Sequence, residues 1–261
     1  MYPYDIFAGM DLYGIFLCIA AISALVSFRI CADHLHLKAK LQNFCMATGL
    51  AAIVVGYFSA VLFQALYNIE KYGEFRIDTS TGATFYGGLI GGAAAFLVIY
   101  FLVGYFYFGE KRDHTKNFWH VADIGAISIA VAHGFGRIGC LMAGCCHGKV
   151  TDKWYGIYMV AAKAKVVPIQ LFEAIVLFAI AAFCAYRLWQ GHRDNLPLYM
   201  VVYGLWRFFI EYARTDYRGT TLVAFLTPSQ LTAIFMIVGG VGVLVWRRVC
   251  FAEKHDDERV V

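Results

Sequence analysis

Long apolar runs separated by short polar stretches dominate the chain. Crossing a hydrocarbon core takes about 20 helical residues, so a run of roughly 18 or more predicts a membrane span. Seven such runs occur, at 11–30, 44–67, 84–107, 119–142, 168–189, 197–215 and 228–249. The expected fold is therefore all-α: a polytopic integral membrane protein with one seven-helix domain over residues 1–261. A short charged tail, EKHDDERVV, follows from about residue 250. The fourth and sixth runs are the least apolar and contain Arg137 and Arg207. That pattern suits helices buried among other helices better than helices facing lipid.

Composition points the same way. The chain is 61% hydrophobic and 15% charged, with a mean hydropathy of +0.62, whereas soluble domains are about half apolar and about a quarter charged. A net charge of +4 with no clustered basic patch argues against nucleic acid as a partner. Of the eight cysteines, Cys18, Cys31, Cys45 and Cys184 lie in or beside apolar runs, where the thiol acts as a small hydrophobe. A disulfide framework is not expected. Nor is a cleavable signal, since the N-terminus lacks a basic region and the first apolar run is too long. Seven spans put the termini on opposite sides. With the C-terminus cytoplasmic, twelve Lys and Arg fall in the inner connections and eight in the outer ones, so the expected orientation is N-out, C-in.

The stretch HGFGRIGCLMAGCCHGK, 133–149, holds the least membrane-like residues. A charge in a span costs about 3 kcal/mol on insertion scales, so Arg137 needs a partner. Arg207 poses the same problem within YGLWRFFIEYARTD. Glu211 lies four residues on and shares its helix face, and Arg214 follows one turn later. An internal ion pair that fixes packing is one reading. An anionic phosphate site is the other, because guanidinium matches phosphate oxygens bidentately. In YGGLIGGAAAF, 86–96, Gly87, Gly88, Gly91 and Gly92 fall on one helix side, which predicts close helix approach or contact with lipid. Cys140, Cys145, Cys146 and His147 have the spacing C-x4-C-C-H, which differs from the paired C-x2-C of structural zinc sites. No metal is expected there. A redox pair at Cys145 and Cys146 is a further option, and small fillers of a tight turn the plainest one. His133 and His147 flank the motif as structural residues or proton carriers.

These residues resemble the prolipoprotein diacylglyceryl transferase family. Its signature, Gly-Arg-x-Gly-Asn-Phe-x-Asn-x-Glu-x-x-Gly, has its counterpart in GRIGCLMAGCCHG, 136–148, where Arg137, Gly139 and Gly148 match. In the same order along the chain, LYGIF resembles the first-span Tyr-Gly motif and places the family's functional tyrosine at Tyr13. FYGGLIGG resembles the (His/Tyr)-Gly-Gly-x-x-Gly block, and PIQLFEA, 168–174, resembles Pro-x-Gln-Leu-Tyr-Glu. YGLWRFFIEYARTD matches the block that carries Arg207 and Glu211, and LTPSQL resembles the Ser-x-Gln start of the last span. The blocks reach from residue 12 to 231. The segment departs from the signature where Cys140 and Ala143 stand for its Asn and Cys145 for its Glu. Tyr86 stands where a histidine is common.

The resemblance implies transfer of the diacylglyceryl group of phosphatidylglycerol to the lipobox cysteine thiol of a preprolipoprotein, with release of glycerol phosphate. It implies a multi-pass protein of the bacterial cytoplasmic (inner) membrane, working as a monomer with phosphatidylglycerol, a lipobox peptide and membrane lipid as partners. No cofactor is required by that chemistry. Arg137 and Arg207 are expected to bind the headgroup and stabilise the leaving phosphate, Glu211 to orient Arg207, and Tyr13 to hydrogen-bond substrate. Gly87, Gly88, Gly136, Gly139, Gly148, Cys140, Cys145, Gln170, Glu173 and Arg214 are the expected substrate-binding set. The base is left open among Tyr86, His133, His147 and Glu173, with His147 favoured for its place beside the motif. Two rival readings keep the lipid site: a paralogue with another acceptor, and a lipid-binding or transport protein without chemistry.

Overall fold

The computed structural model describes residues 5–7, 10–73, 75, 77, 84–214 and 226–257. In chain order the elements are β1 (Asp5–Phe7), β2 (Met10–Asp11), α1 (Leu12–His34), α2 (Ala39–Tyr72), α3 (Phe85–Val98), α4 (Gly104–Phe108), α5 (Asp113–Lys116) and α6 (Phe118–Ala143). They continue with β3 (Ile157–Met159), β4 (Ala164–Val166), α7 (Ile169–Trp189), α8 (Asn195–Ile210) and α9 (Pro228–Asp257). A π-helical turn, Ile99–Val103, joins α3 to α4, and a 3-10 turn, Glu211–Ala213, ends α8. The tail expected from about 250 begins inside α9, and residues 258–261 lie outside the described set.

This is a mostly helical, polytopic membrane protein. Among the described residues six helices are long and apolar enough to cross a membrane: Leu12–His34, Ala39–Ile69, Gly87–Lys111, Phe118–Ala143, Ile169–Trp189 and Pro228–Val249. The run expected as a sixth span, 197–215, is not among them, because α8 is only 16 residues long. The least apolar of the six, Phe118–Ala143, is also the most enclosed, with half of its apolar window buried. Contacts gather the chain into two compact units, Met1–Cys31 with Ala122–Val261, and Ala32–Val121.

Within Ala32–Val121, the glycine face of α3 lies directly on α2. A Cβ on Gly87 would sit 2.6 Å from Phe63 Cβ and 3.0 Å from the Ser59 carbonyl oxygen. One on Gly91 would overlap Ser59 Oγ, and one on Gly56 would lie 3.0 Å from the Gly88 carbonyl oxygen. Ser59 Oγ donates to the Gly87 carbonyl at 2.9 Å. Bare backbone on both helices is thus what sets their separation, the close-approach alternative for these glycines. Farther along, the π turn puts Tyr100 wholly inside, where its hydroxyl donates to the His114 carbonyl at 2.6 Å. Phe58 and Phe106 are 66% and 75% exposed, which suits hydrocarbon rather than water.

The other unit is built around α6 and α7. Gly134 lets Phe178 of α7 approach α6, since a Cβ there would lie 2.7 Å from the ring. Near the start of α6, wholly buried Asp123 accepts two Arg247 nitrogens from α9 at 3.2 Å and the Leu196 amide of α8 at 2.9 Å. That one carboxylate ties three helices together. At the far end of α9, Thr227 forms a reciprocal cap with Gln230: Gln230 N donates to Thr227 Oγ1 at 3.2 Å, and Thr227 N donates to Gln230 Oε1 at 3.1 Å. Pro228 occupies the first helical position, where its missing N–H costs nothing. Gly204 and Gly240 bring α8 and α9 close, each with a backbone carbonyl 3.0 Å from where a Cβ would stand. Between α6 and α7, β3 and β4 form a small antiparallel hairpin.

Replacing Gly87 by Ala should destabilise the protein by about 1–3 kcal/mol, because neither Phe63 Cβ nor a backbone carbonyl can yield. Gly49→Ala, on the facing helix α2 with nothing within 4 Å of the new carbon, should instead stabilise it by about 0.5–1 kcal/mol. Thermal unfolding in detergent measures both.

Candidate functional site

Charge buried in an apolar protein must find a partner, and here the partners are one another. Arg137 projects from α6, Glu173 from α7, and Arg207, Glu211 and Arg214 from α8 and the turn after it; all five are buried. Glu173 is the centre. Its Oε2 lies 3.0 Å from Arg137 Nε and its Oε1 lies 3.8 Å from Arg207 Nη1. The Tyr203 hydroxyl donates to Oε1 at 2.7 Å, and that same oxygen atom of Tyr203 stands 3.5 Å from His133 Nε2.

Arg207 is held from further sides. Its Nη2 donates to Ser229 Oγ at 2.8 Å and pairs with Glu211 Oε2 at 3.1 Å. Glu211 also accepts from Thr227 Oγ1 at 3.1 Å and lies 3.9 Å from Arg214 Nε. The Arg207–Glu211 pair expected from their four-residue spacing is therefore present. Arg137 differs. Its closest approach to a carboxylate is through Nε, 3.0 Å from Glu173 Oε2, rather than through a terminal nitrogen as in Arg207. Three guanidinium groups face two carboxylates, which leaves one positive charge in excess within this cluster. Such an excess in a dry place favours an anion.

Beyond α6 the chain turns sharply. Cys145 N donates to the Cys140 carbonyl and Gly144 N to the Leu141 carbonyl, each at 3.2 Å. Gly144 has φ +75°, and Cys146 has φ +59°, a left-handed conformation that costs a residue with a Cβ roughly 1–3 kcal/mol. The turn brings the sulfur atoms of Cys140, Cys145 and Cys146 within 4.8 Å of one another. Thiol donation from Cys140 and Cys145, aided by Arg214, pulls the Cys146 thiol well below the ordinary range, while the same contacts push Cys145 up. The Gln170 amide donates to the Cys145 carbonyl, so this buried residue fastens the turn. His147 Nδ1 lies 3.0 Å from the Gly148 carbonyl. A carbonyl only accepts, so this contact assigns the proton to Nδ1 and leaves Nε2 as the accepting nitrogen.

The expected glycines divide. A Cβ on Gly139 would meet Tyr13 and Phe16 at 3.2 Å, and one on Gly148 would meet Ile169 Cδ1 at 2.7 Å and the Ala213 carbonyl at 2.9 Å. Their bare backbone is used by the chain itself: Gly139 seats Tyr13 against α6, and Gly148 pairs with Arg214. Gly136 has nothing within 4 Å. Gly87 and Gly88 belong to the unit Ala32–Val121 and serve the α2–α3 contact. Tyr86 lies in α3, and its side chain falls outside the described residues. Tyr203, Ser229 and Thr227 escaped the sequence reading as site residues. Tyr203 stands one turn before Arg207, a spacing that gave a signal. Ser229 lay within the capping pattern, where its contact with another helix had none.

Comparison with known proteins gives this geometry a context. The family model described as prolipoprotein diacylglyceryl transferase matches residues 5–246. The protein named phosphatidylglycerol–prolipoprotein diacylglyceryl transferase 2 from Clostridium perfringens is 32% identical, over 81% of this chain and 84% of its own length. A phosphatidylglycerol–prolipoprotein diacylglyceryl transferase from Clostridium tetani is 26% identical over 89% of this chain and 92% of its own. One of the same name from Desulfotalea psychrophila is 30% identical over 81% of this chain and 78% of its own. No solved structure matches.

Truncating Glu173 to Ala would strand the buried Arg137 guanidinium and take one of two carboxylates from Arg207, and should destabilise the protein by about 3–5 kcal/mol. Adding Arg137→Met to that variant should recover part of the loss, since one stranded charge goes. Unfolding midpoints of the single and double variants in detergent decide the matter; an unaltered midpoint in Glu173→Ala would refute the central role of this carboxylate.

Proposed function

The chain belongs to the prolipoprotein diacylglyceryl transferase family, and we propose that it transfers the diacylglyceryl group of phosphatidylglycerol to a lipobox cysteine. The observation that carries this reading is the buried cluster of three guanidinium groups and two carboxylates, in which Arg137 approaches Glu173 closest through Nε rather than through its terminal nitrogens. Those nitrogens form the edge that binds phosphate oxygens in pairs. Arg137 takes the headgroup phosphate. Arg207, already held by Glu173, Glu211 and Ser229, supplies a fixed positive charge beside it.

In the reaction a sulfur–carbon bond forms at the glyceryl carbon and the carbon–oxygen bond to phosphate breaks. Glycerol phosphate departs with the bonding pair, and the thiol proton passes to a base. A free thiol ionises near pH 8.5, so deprotonation needs only modest help. His147 is the base we favour, because its Nε2 is the accepting nitrogen. The larger demand is charge on the departing phosphate, which positioned donors in a water-poor site meet without reorganising. Tyr13, held against Gly139, hydrogen-bonds substrate at the same end of α6. Glu173 orients both arginines, and Gln170 holds the turn that carries Cys145.

The helices fit seven spans of one membrane domain if α8 counts with its terminal turn. Its 16 helical residues at 1.5 Å each, extended by the 3-10 turn, reach about 30 Å, the thickness of a hydrocarbon core. The setting we propose is the bacterial cytoplasmic membrane, N-terminus outside, with the protein a monomer. A second reading rests on Cys140, Ala143 and Cys145 at the signature's Asn, Asn and Glu positions: the same donor site serving a different acceptor.

Purified protein given phosphatidylglycerol and a lipobox peptide should yield the diacylglyceryl thioether by mass and release glycerol phosphate. Arg137→Ala should lower turnover by about 10²–10³, the usual effect of removing one donor to developing charge. Retained lipid with no peptide product would move the assignment to another acceptor or to lipid binding alone. For orientation, a C-terminal fluorescent-protein fusion should glow and an alkaline phosphatase fusion stay inactive; the reverse pair of results would overturn N-out, C-in.

A further inference from the structure

The turn after α6 gathers three soft ligands that the proposed transfer does not use. Sequence spacing argued against a shared ion, because neighbouring cysteines in extended or helical backbone point apart. Here Cys146 is left-handed, φ +59°, and that conformation swings its side chain toward the same point as that of Cys145. The helix end supplies Cys140 five residues back, with the Cys145 amide bonded to its carbonyl at 3.2 Å. All three sulfurs come within 4.8 Å of one another. Ligands of a tetrahedral zinc ion, at about 2.3 Å from the metal, stand about 3.8 Å apart. Side-chain rotation of about an ångström closes that gap without moving the backbone.

We propose that Cys140, Cys145 and Cys146 form a trithiolate site for a thiophilic divalent cation, Zn2+ foremost, with the fourth coordination position left to an exogenous ligand. The surroundings suit the charge. Three thiolates around a divalent ion carry one net negative charge, and the Arg214 guanidinium, hydrogen-bonded to Cys146, offsets it. The frame is also secured from outside the turn: Gln170 of α7 holds the Cys145 carbonyl, and Arg214 pairs through its backbone with Gly148. His147 turns its Nδ1 to the Gly148 carbonyl and is not within the metal-range set. Three protein ligands with an open position are the donor count of catalytic rather than structural zinc. Cys145 is exposed, so the open side can be reached by water or by a thiol.

The test uses the full-length protein in lipid nanodiscs, reduced with a phosphine and freed of metal, then titrated with Co2+ and afterwards Zn2+. A single Co2+ per chain should bind with thiolate-to-cobalt charge-transfer and visible bands, and Zn2+ should displace it. Cys140→Ser, Cys145→Ser and Cys146→Ser should each lose the bands, while Cys184→Ser should keep them. No uptake by the reduced wild type would overturn the site, and so would equal uptake by the triple Ser variant, which means an adventitious ion only. Should the Ser variants fail to fold, maleimide labelling of the wild type decides instead. Zn2+ should protect Cys140, Cys145 and Cys146, read by peptide mass, and unchanged labelling would overturn the proposal. None of these readouts depends on transferase activity.

Discussion

The Glu173 carboxylate is the constraint on which the functional half of the molecule depends. Two guanidinium groups from different helices cannot sit side by side in an apolar interior without an anion between them. Glu173 supplies it, wholly buried, between Arg137 of α6 and Arg207 of α8. Everything around follows from keeping that geometry. Gly134 lets α7 approach α6, Gly204 and Gly240 let α9 approach α8, and the capped start of α9 delivers Ser229 to Arg207. A similar device, Asp123 with Arg247, fixes the other end of the same helices. The α6–α9 assembly is thus pinned at both ends by buried charge and filled between by apolar contact.

Much of this was legible in the sequence, for reasons that can be stated. Arg207 and Glu211 are four apart, and helix geometry alone puts such residues on one face. The α3 glycines repeat at three and four, so their side of the helix was known before its partner. Apolar runs located six spans to within about five residues at each end, because length and hydropathy are properties of single segments. Glu173 as the partner of Arg137 was not legible: the two stand 36 positions apart on different helices, and local spacing says nothing about tertiary pairing. The closeness of the three cysteine sulfurs was not legible for a related reason. It hangs on one left-handed residue, Cys146, which is not glycine and so gives no warning. The sixth run is longer than α8 because Glu211–Ala213 continues it as a tighter 3-10 turn.

The two arginines, equivalent in sequence, are physically unlike. Arg207 is held on two sides: a hydroxyl and a carboxylate share one of its terminal nitrogens, and a second carboxylate faces the other at 3.8 Å. Such a side chain is rigid and acts chiefly as a fixed field. Arg137 meets Glu173 closest through Nε, which turns the far edge of the group away from that contact. On the proposed reading, one group positions the potential and the other makes the fitted contact. A lysine could imitate the first only poorly and the second hardly at all, since an ammonium group lacks a planar fork.

The charge count has a consequence for turnover. A site that draws in a phosphate ester must also let the phosphate product go, and the product keeps its negative charge. Three guanidinium groups without opposing carboxylates would hold that product as an inhibitor. On the proposed reading, Glu173 and Glu211 cancel two of the three charges and so act as a brake on affinity as well as a scaffold. An enzyme of this kind is tuned for departure as much as for capture, and its carboxylates set the balance between the two.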